Sequence, residues 1–121
     1  MKQIYFEGFK TDVPKYLKKA SILCLTSNTE GLPMVLLEAM KYGVIPFSYD
    51  SFASVYDIID DCENGFIIPA FDEMDYVEKL KLLMQNQDLQ NRMAINAFEK
   101  SKEFRLEVII EKWGNLISEI V

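Results

Sequence analysis

The sequence predicts an α/β fold, a parallel sheet with helices on both faces. Short apolar runs alternate with stretches whose apolar residues recur at helical spacing. Short turns built from Gly, Pro, Asp and Ser separate them. One run, Ile22-Leu23-Cys24-Leu25, is apolar throughout, as expected of a strand covered on both faces. Strands alternating with helices in this way make a layered sheet rather than a bundle or a sandwich. The 121 residues, 50% apolar and 26% charged, read as one domain over 1–121 with material for a single core.

The elements follow in order. Ile4-Tyr5-Phe6 is a short apolar run closed by Gly8 and reads as a strand. Thr11 or Asp12 can cap a helix with Pro14 in its first turn, and Val13, Tyr16, Leu17 and Ala20 form its apolar stripe. The run from Ile22 to Leu25 follows. After the polar loop Ser27-Asn28-Thr29-Glu30-Gly31, Pro33 takes the first helical position. Leu36, Ala39 and Met40 form that helix's inner face, and Gly43 stops it. Val44-Ile45-Pro46-Phe47 is the next strand. A loop through Ser48, Asp50 and Ser51 leads to a short helix from Val55 to Ile59. Asp60 to Gly65 is a turn, and Phe66-Ile67-Ile68 is the last strand. The remainder is helical, with stripes at Val77/Leu80/Met84, at Leu89/Met93/Ala97, and from Leu106 to Ile120. Core packing accounts for such stripes; the last is broad enough to serve a partner surface.

Composition removes several kinds of chemistry. The net charge of −6 disfavours nucleic-acid binding, and Lys15, Lys18 and Lys19 at helical spacing form a solvated face. The absence of His removes Ser-His-Asp and Cys-His catalysis and most zinc sites from the chain. Cys24 reads as a small core hydrophobe and Cys62 lies in an acidic turn. Two such cysteines give neither metal spacing nor a disulfide framework, which fits a reducing cytosol. No apolar run reaches the roughly 20 residues of a membrane helix. Nor does Met1 to Phe6 open a signal-peptide core before Glu7.

The segment Thr29-Glu30-Gly31-Leu32-Pro33-Met34-Val35-Leu36-Leu37-Glu38-Ala39-Met40 carries the chemistry. Two glutamates stand with seven residues between them, the first in a Gly/Pro turn and the second inside a helix. With Pro33 lacking an N–H, the open donors at the helix start are Met34, Val35 and Leu36, which suit an anion. Gly31 tolerates positive φ and allows close approach to the backbone. A carboxylate accepts two hydroxyl protons at once, the spacing a vicinal diol presents. Glu38, leaning back toward the helix start, suits a ribose, and Glu30 suits a sugar. The spacing alone equally fits a glutamate that favours the helix dipole and a second that is merely solvated.

The context of the pair resembles a known pattern. Ser27 to Met40 resembles the signature of retaining glycosyltransferases of the GT-B fold, most closely glycosyltransferase family 4: two glutamates across seven residues in a Glu-Gly-Leu-Pro, apolar, Glu-Ala-Met frame. The flanks Phe6 to Leu25, Gly43-Val44-Ile45-Pro46, Asp57-Ile58-Ile59 and Asn64-Gly65-Phe66-Ile67-Ile68-Pro69 are similar too, so the resemblance covers nearly the whole chain.

The resemblance implies a Rossmann-like, partial GT-B C-terminal domain. It implies transfer of a sugar from a nucleotide-diphosphate sugar to a glycan or lipid-linked acceptor, with retention of configuration. Glu30 would be catalytic and contact the donor sugar. Glu38 would hold the ribose. The stretch Gly31, Leu32, Pro33, Met34 and Val35 would line the donor, with the amides of Met34 and Val35 at the diphosphate and Tyr5 near the base. No metal and no cofactor beyond the donor substrate is implied. The partners implied are the nucleotide-sugar donor and a separate N-terminal acceptor domain, with no nucleic acid. The location implied is cytoplasmic, with room for peripheral attachment of the full-length enzyme to a membrane.

Two departures stand out. Enzymes of this kind carry further strands and helices before this region, with an Arg and a Lys at the phosphates, so the expectation is a C-terminal donor-binding fragment, inactive by itself. Asp50-Ser51-Phe52-Ala53-Ser54 also replaces a glycine-rich turn common in relatives. A non-catalytic Rossmann-like binding or interaction module is the alternative.

Overall fold

The computed structural model describes residues 3–121, so Met1 and Lys2, with that part of the signal-peptide expectation, lie outside the described residues. In chain order the elements are α1 (Val13–Leu17), β1 (Ile22–Leu25), α2 (Met34–Met40), β2 (Ile45–Tyr49), α3 (Val55–Ile58), β3 (Phe66–Ile68), α4 (Glu73–Met84), α5 (Gln87–Ser101) and α6 (Leu106–Ile120). A single 3-10 turn, Lys102–Phe104, separates α5 from α6. The sheet has three strands in the order β1-β2-β3, all parallel.

The pleat divides the side chains between two cores. Cys24, Phe47 and Phe66 are register partners, so they share one face with Ile22, Ile45, Tyr49 and Ile68. On that face Ile45, Phe47, Tyr49, Phe66 and Ile68 pack with Tyr76 and Leu83 of α4 and Met93 of α5. Leu23, Leu25 and Ile67 point the other way, against Leu36, Leu37 and Met40 of α2 and Val55 and Ile58 of α3. Ala97 of α5 joins this second core, so α5 ties the two layers together. Helices on both faces of a parallel sheet are what the sequence predicts.

Pro46 sits in the central strand, where a missing donor is usually costly. The ladder explains it. Ile45 N–H donates to the Ser21 carbonyl on the β1 side, at 2.9 Å. Successive residues alternate sides, so a donor at Pro46 would face β3, whose pairing starts only one residue later at Phe47 and Phe66. The turn before β3 is fixed by buried Asn64, which donates to the Ile58 carbonyl (3.2 Å) and accepts from Asp60 N–H (2.9 Å).

Several expectations are corrected. Ile4-Tyr5-Phe6 is irregular and exposed, not a strand: among the described residues it pairs with no strand of the β1-β2-β3 sheet. β1 is an edge strand, half-exposed rather than covered on both faces, and Cys24 is exposed instead of packed as a core hydrophobe. Asp12 precedes α1 without a side-chain cap. β2 starts at Ile45 and runs on to Tyr49. On α4 the buried residues are Tyr76 and Leu83 with Leu80 packed beside them, whereas Val77 and Met84 are exposed. The helix is turned so that the Tyr76 ring enters the core, 4.7 Å from that of Phe47 and 4.8 Å from that of Tyr49. Its hydroxyl donates to the Phe47 carbonyl at 3.2 Å, which satisfies the polar tip. α6 buries none of its residues, so its apolar stripe faces outward. Among the described residues no helix is long and apolar enough to cross a membrane.

Candidate functional site

The candidate site is the corner between β1 and α2, at the carboxyl end of the sheet, where ligands of open α/β folds bind. Pro33 is the N-cap residue, not the first helical one; its φ is −74° and its ψ 96°, and α2 begins at Met34. The Leu36 amide already donates to the Pro33 carbonyl at 3.1 Å, which removes one of the three expected donors. Met34 and Val35 keep theirs: among the described residues neither amide has a backbone or side-chain acceptor. With seven residues α2 carries a weak dipole, so these two amides act as individual hydrogen-bond donors.

Gly31 does not use a positive φ; Gly8 and Gly43 do, both at 71°. A Cβ at Gly31 would meet nothing within 4 Å, so its lack of a side chain leaves open space at the turn. Leu32 and Met34 are exposed beside it, Pro33 is buried, and Val35 is half-buried.

The two carboxylates are both half-buried but differ in their surroundings. Glu30 accepts a hydrogen bond from the Ser27 hydroxyl at 2.9 Å. Glu38 is four residues into α2, about 6 Å along its axis from Met34. It lines a groove of about 510 Å³ with Thr11, Val13 and Pro14 at the start of α1 and with Lys41 and Tyr42. The chain segment brought beside Glu38 is thus the start of α1. Tyr5 is exposed and is not part of that groove. Glu30 lines neither this groove nor the two that flank the corner, one at Thr26 and Asn28 and one at Leu32. The structure therefore sets Glu30, Gly31, Leu32, Pro33, Met34 and Val35 in succession at the start of α2, places Glu38 on a groove that Glu30 does not line, and leaves Tyr5 outside that groove.

Sequence reasoning missed the ties on this corner. The Ser51 hydroxyl donates to the Ser27 carbonyl at 2.7 Å, and the Ser54 hydroxyl donates to the Gly31 carbonyl at 2.5 Å. Tyr56 donates its hydroxyl to the Asp50 carboxylate, which holds the phenol above its ordinary pKa range. The signal was present as polar residues in the turn from Asp50 to Ser54. Nothing in the sequence says which backbone they reach. Among the described residues no three His, Cys, Asp or Glu side chains gather into a metal-binding group.

Comparison with known proteins decides the family. The pattern of the group 1 glycosyl transferases matches residues 1–100. The chain belongs to that family. An α-1,4-N-acetyl-D-galactosaminyltransferase of Campylobacter jejuni is 31% identical over 118 residues, which are 98% of this chain and 33% of the relative. The C-terminal domain of a group 1 family glycosyl transferase (LpcC) from Francisella tularensis superposes with a TM-score of 0.72 at 22% identity, over 85% of this chain and 53% of that one. HepE of Anabaena, solved in complex with UDP, superposes with a TM-score of 0.84 at 20% identity, over 94% of this chain and 32% of that one. These folds agree with the sheet and helices of a GT-B C-terminal domain. The chain spans about a third of the length of the curated relatives it matches.

Proposed function

We propose that this group 1 glycosyl transferase chain binds the donor of a retaining sugar transfer, a sugar carried on a nucleoside diphosphate. The observation that carries the reading is the stretch from Glu30 to Glu38, which follows the carboxyl end of β1 and enters α2 with the amides of Met34 and Val35 open, within a chain matched to the family over residues 1–100.

Each residue has a role its chemistry suits. Glu38, in the groove at the start of α1, accepts both protons of the ribose diol. The amides of Met34 and Val35 donate to diphosphate oxygens, and Gly31 leaves the space for their approach. Glu30 accepts from hydroxyls of the donor sugar and stabilises the positive charge that develops as the anomeric bond breaks. HepE, which shares the fold, is a UDP complex, and this supports a nucleotide as the ligand. The acceptor in the reading is a glycan or a lipid-linked sugar, in line with the name of the Campylobacter relative, whose acceptor is carried on PP-undecaprenol. Catalysis by the whole enzyme takes a separate acceptor domain and no cofactor beyond the donor. The enzyme works in the cytoplasm, attached peripherally to a membrane where the acceptor is a lipid.

Calorimetric titration of the chain with UDP, GDP and their sugar conjugates tests the reading. Saturable binding lost at least tenfold in Glu38→Ala is the expected result. In the protein as the cell makes it, Glu30→Ala should mainly slow transfer and leave affinity for the bare nucleoside diphosphate within about threefold. Unaltered binding and transfer in both variants would remove the site assignment.

A further inference from the structure

We propose that Ser51 and Ser54, acting with Ser27, are positioning residues that set the direction of the Glu30 carboxylate toward the donor sugar. The inference rests on the donor-binding reading above and adds to it the part of the fold that decides sugar recognition.

The geometry is a clamp from outside the corner. Residues 27–31 form a loop that no helix or strand holds. Ser51 fixes its first residue through the Ser27 carbonyl (2.7 Å), and Ser54 fixes its last through the Gly31 carbonyl (2.5 Å). Glu30 lies between those two points. The Ser27 hydroxyl, on the residue that Ser51 holds, donates to Glu30 Oε1 at 2.9 Å. That bond occupies one carboxylate oxygen and leaves the other lone pairs for a ligand.

The clamping turn is itself anchored. Phe52, between the two serines, is buried against Leu36, Leu37 and Val55. Asp50 N–H donates to the Ile68 carbonyl at 2.7 Å, and the Asp50 carboxylate accepts from Tyr56. The bonds cross 23 and 24 positions of sequence, so they join two separately folded loops.

Ser54 shows that the arrangement is not local capping. It is the N-cap residue of α3, where a serine hydroxyl ordinarily accepts from the helix's own amides. Here it makes no cap bond and donates instead to Gly31. A rule of local structure is broken in favour of the loop that carries Glu30.

The test compares affinities within matched pairs, UDP against UDP-N-acetylglucosamine and GDP against GDP-mannose, on the full chain. Ser51→Ala and Ser54→Ala should each lower the preference for the sugar conjugate by about three- to tenfold, the worth of one hydrogen bond. Affinity for the bare diphosphate should stay put, because Glu38 and the α1 groove are untouched. Ser27→Thr should retain the preference that Ser27→Ala loses. Ser27→Ala placed on Glu30→Ala should lose nothing further. Intact preference in the serine variants, with Glu30→Ala impaired, would overturn the clamp and leave the donor reading standing. An equal fall for bare and conjugated diphosphate, tracking a fall in melting temperature, would also overturn it. Wild-type chain that binds neither pair, or Glu30→Ala with unchanged preference, would instead refute the donor reading beneath it.

Discussion

Gly65→Ala should destabilise the fold by about 4 kcal/mol, close to the whole stability of a weak domain. The magnitude follows from what a methyl group would meet. A Cβ on Gly65 would stand 2.2 Å from the Pro46 carbonyl oxygen and 2.8 Å from Pro46 Cγ. Neither atom can yield. The proline ring fixes φ, and the strand before it is held by the bond from Ile45 N–H to Ser21. Relief must come from β3 moving away from β2 by about an ångström, which overpacking data place at about 3 kcal/mol. The shift also stretches the bond from Cys62 N–H to the Gly65 carbonyl (2.9 Å), for about 1 kcal/mol more. At roughly 4 °C per kcal/mol for a domain of this size, the melting temperature should fall by about 15 °C. Circular dichroism melts and urea titrations measure it. Gly114→Ala on exposed α6, where a Cβ meets nothing within 4 Å, is the control and should be neutral or stabilising. A fall of less than about 3 °C in Gly65→Ala would refute the contact.

Gly31→Ala separates ligand from fold: with open space at its Cβ and no positive φ, the melting temperature should hold while diphosphate affinity falls, both read on one preparation. Tyr76→Phe removes the hydroxyl bond to the Phe47 carbonyl and should cost about 1 kcal/mol by urea titration. Burial raises the Tyr76 pKa above its ordinary value, so the folded state keeps a proton that the unfolded state loses. That stability is complete below about pH 10 and falls as pH rises beyond it, a slope that Tyr76→Phe should reduce. Truncation before Leu106 removes a helix with no buried residue and should cost no more than about 2 kcal/mol by thermal melt.

The sequence made the outline legible wherever a local pattern has a local cause. Alternating apolar runs placed all three strands of the sheet, and Gly43 marked the end of α2 through a positive φ that its neighbours resist. Where the cause lies elsewhere in the molecule, the pattern misled. Ile4 to Phe6 has strand composition, but composition does not provide a neighbour. Tyr76 lies outside the Val77/Leu80/Met84 stripe of α4; a strand distant in sequence, β2, supplies the carbonyl and rings that draw it in. At the site, the roles of the glutamates are what the family resemblance implies, while the turn and the helix start were readable in the sequence. The groove wall at Thr11 to Pro14 was not, nor were the serine bonds, because a hydroxyl's partner leaves no trace in periodicity.

Electrostatics rank the parts of the site. In the proposed reading a diphosphate brings negative charge beside Glu30 and Glu38, on a chain of net charge −6. Against this α2 offers two amides at the end of a short helix, each worth of the order of 1 kcal/mol. The phosphates are therefore not where this corner gains affinity. Hydroxyls are: a charged acceptor contributes about 1.5–3 kcal/mol per hydrogen bond, and each carboxylate can accept two. That gain depends on direction, because a carboxylate turned away repels the phosphates and binds nothing in return. Glu38 takes its direction from a helix. Glu30 stands in a loop and takes its direction from Ser27, whose backbone Ser51 holds. In the proposed reading, a loop rather than a helix or strand thus carries the carboxylate that meets the donor sugar. Its accuracy comes from hydrogen bonds across the fold and not from the local chain.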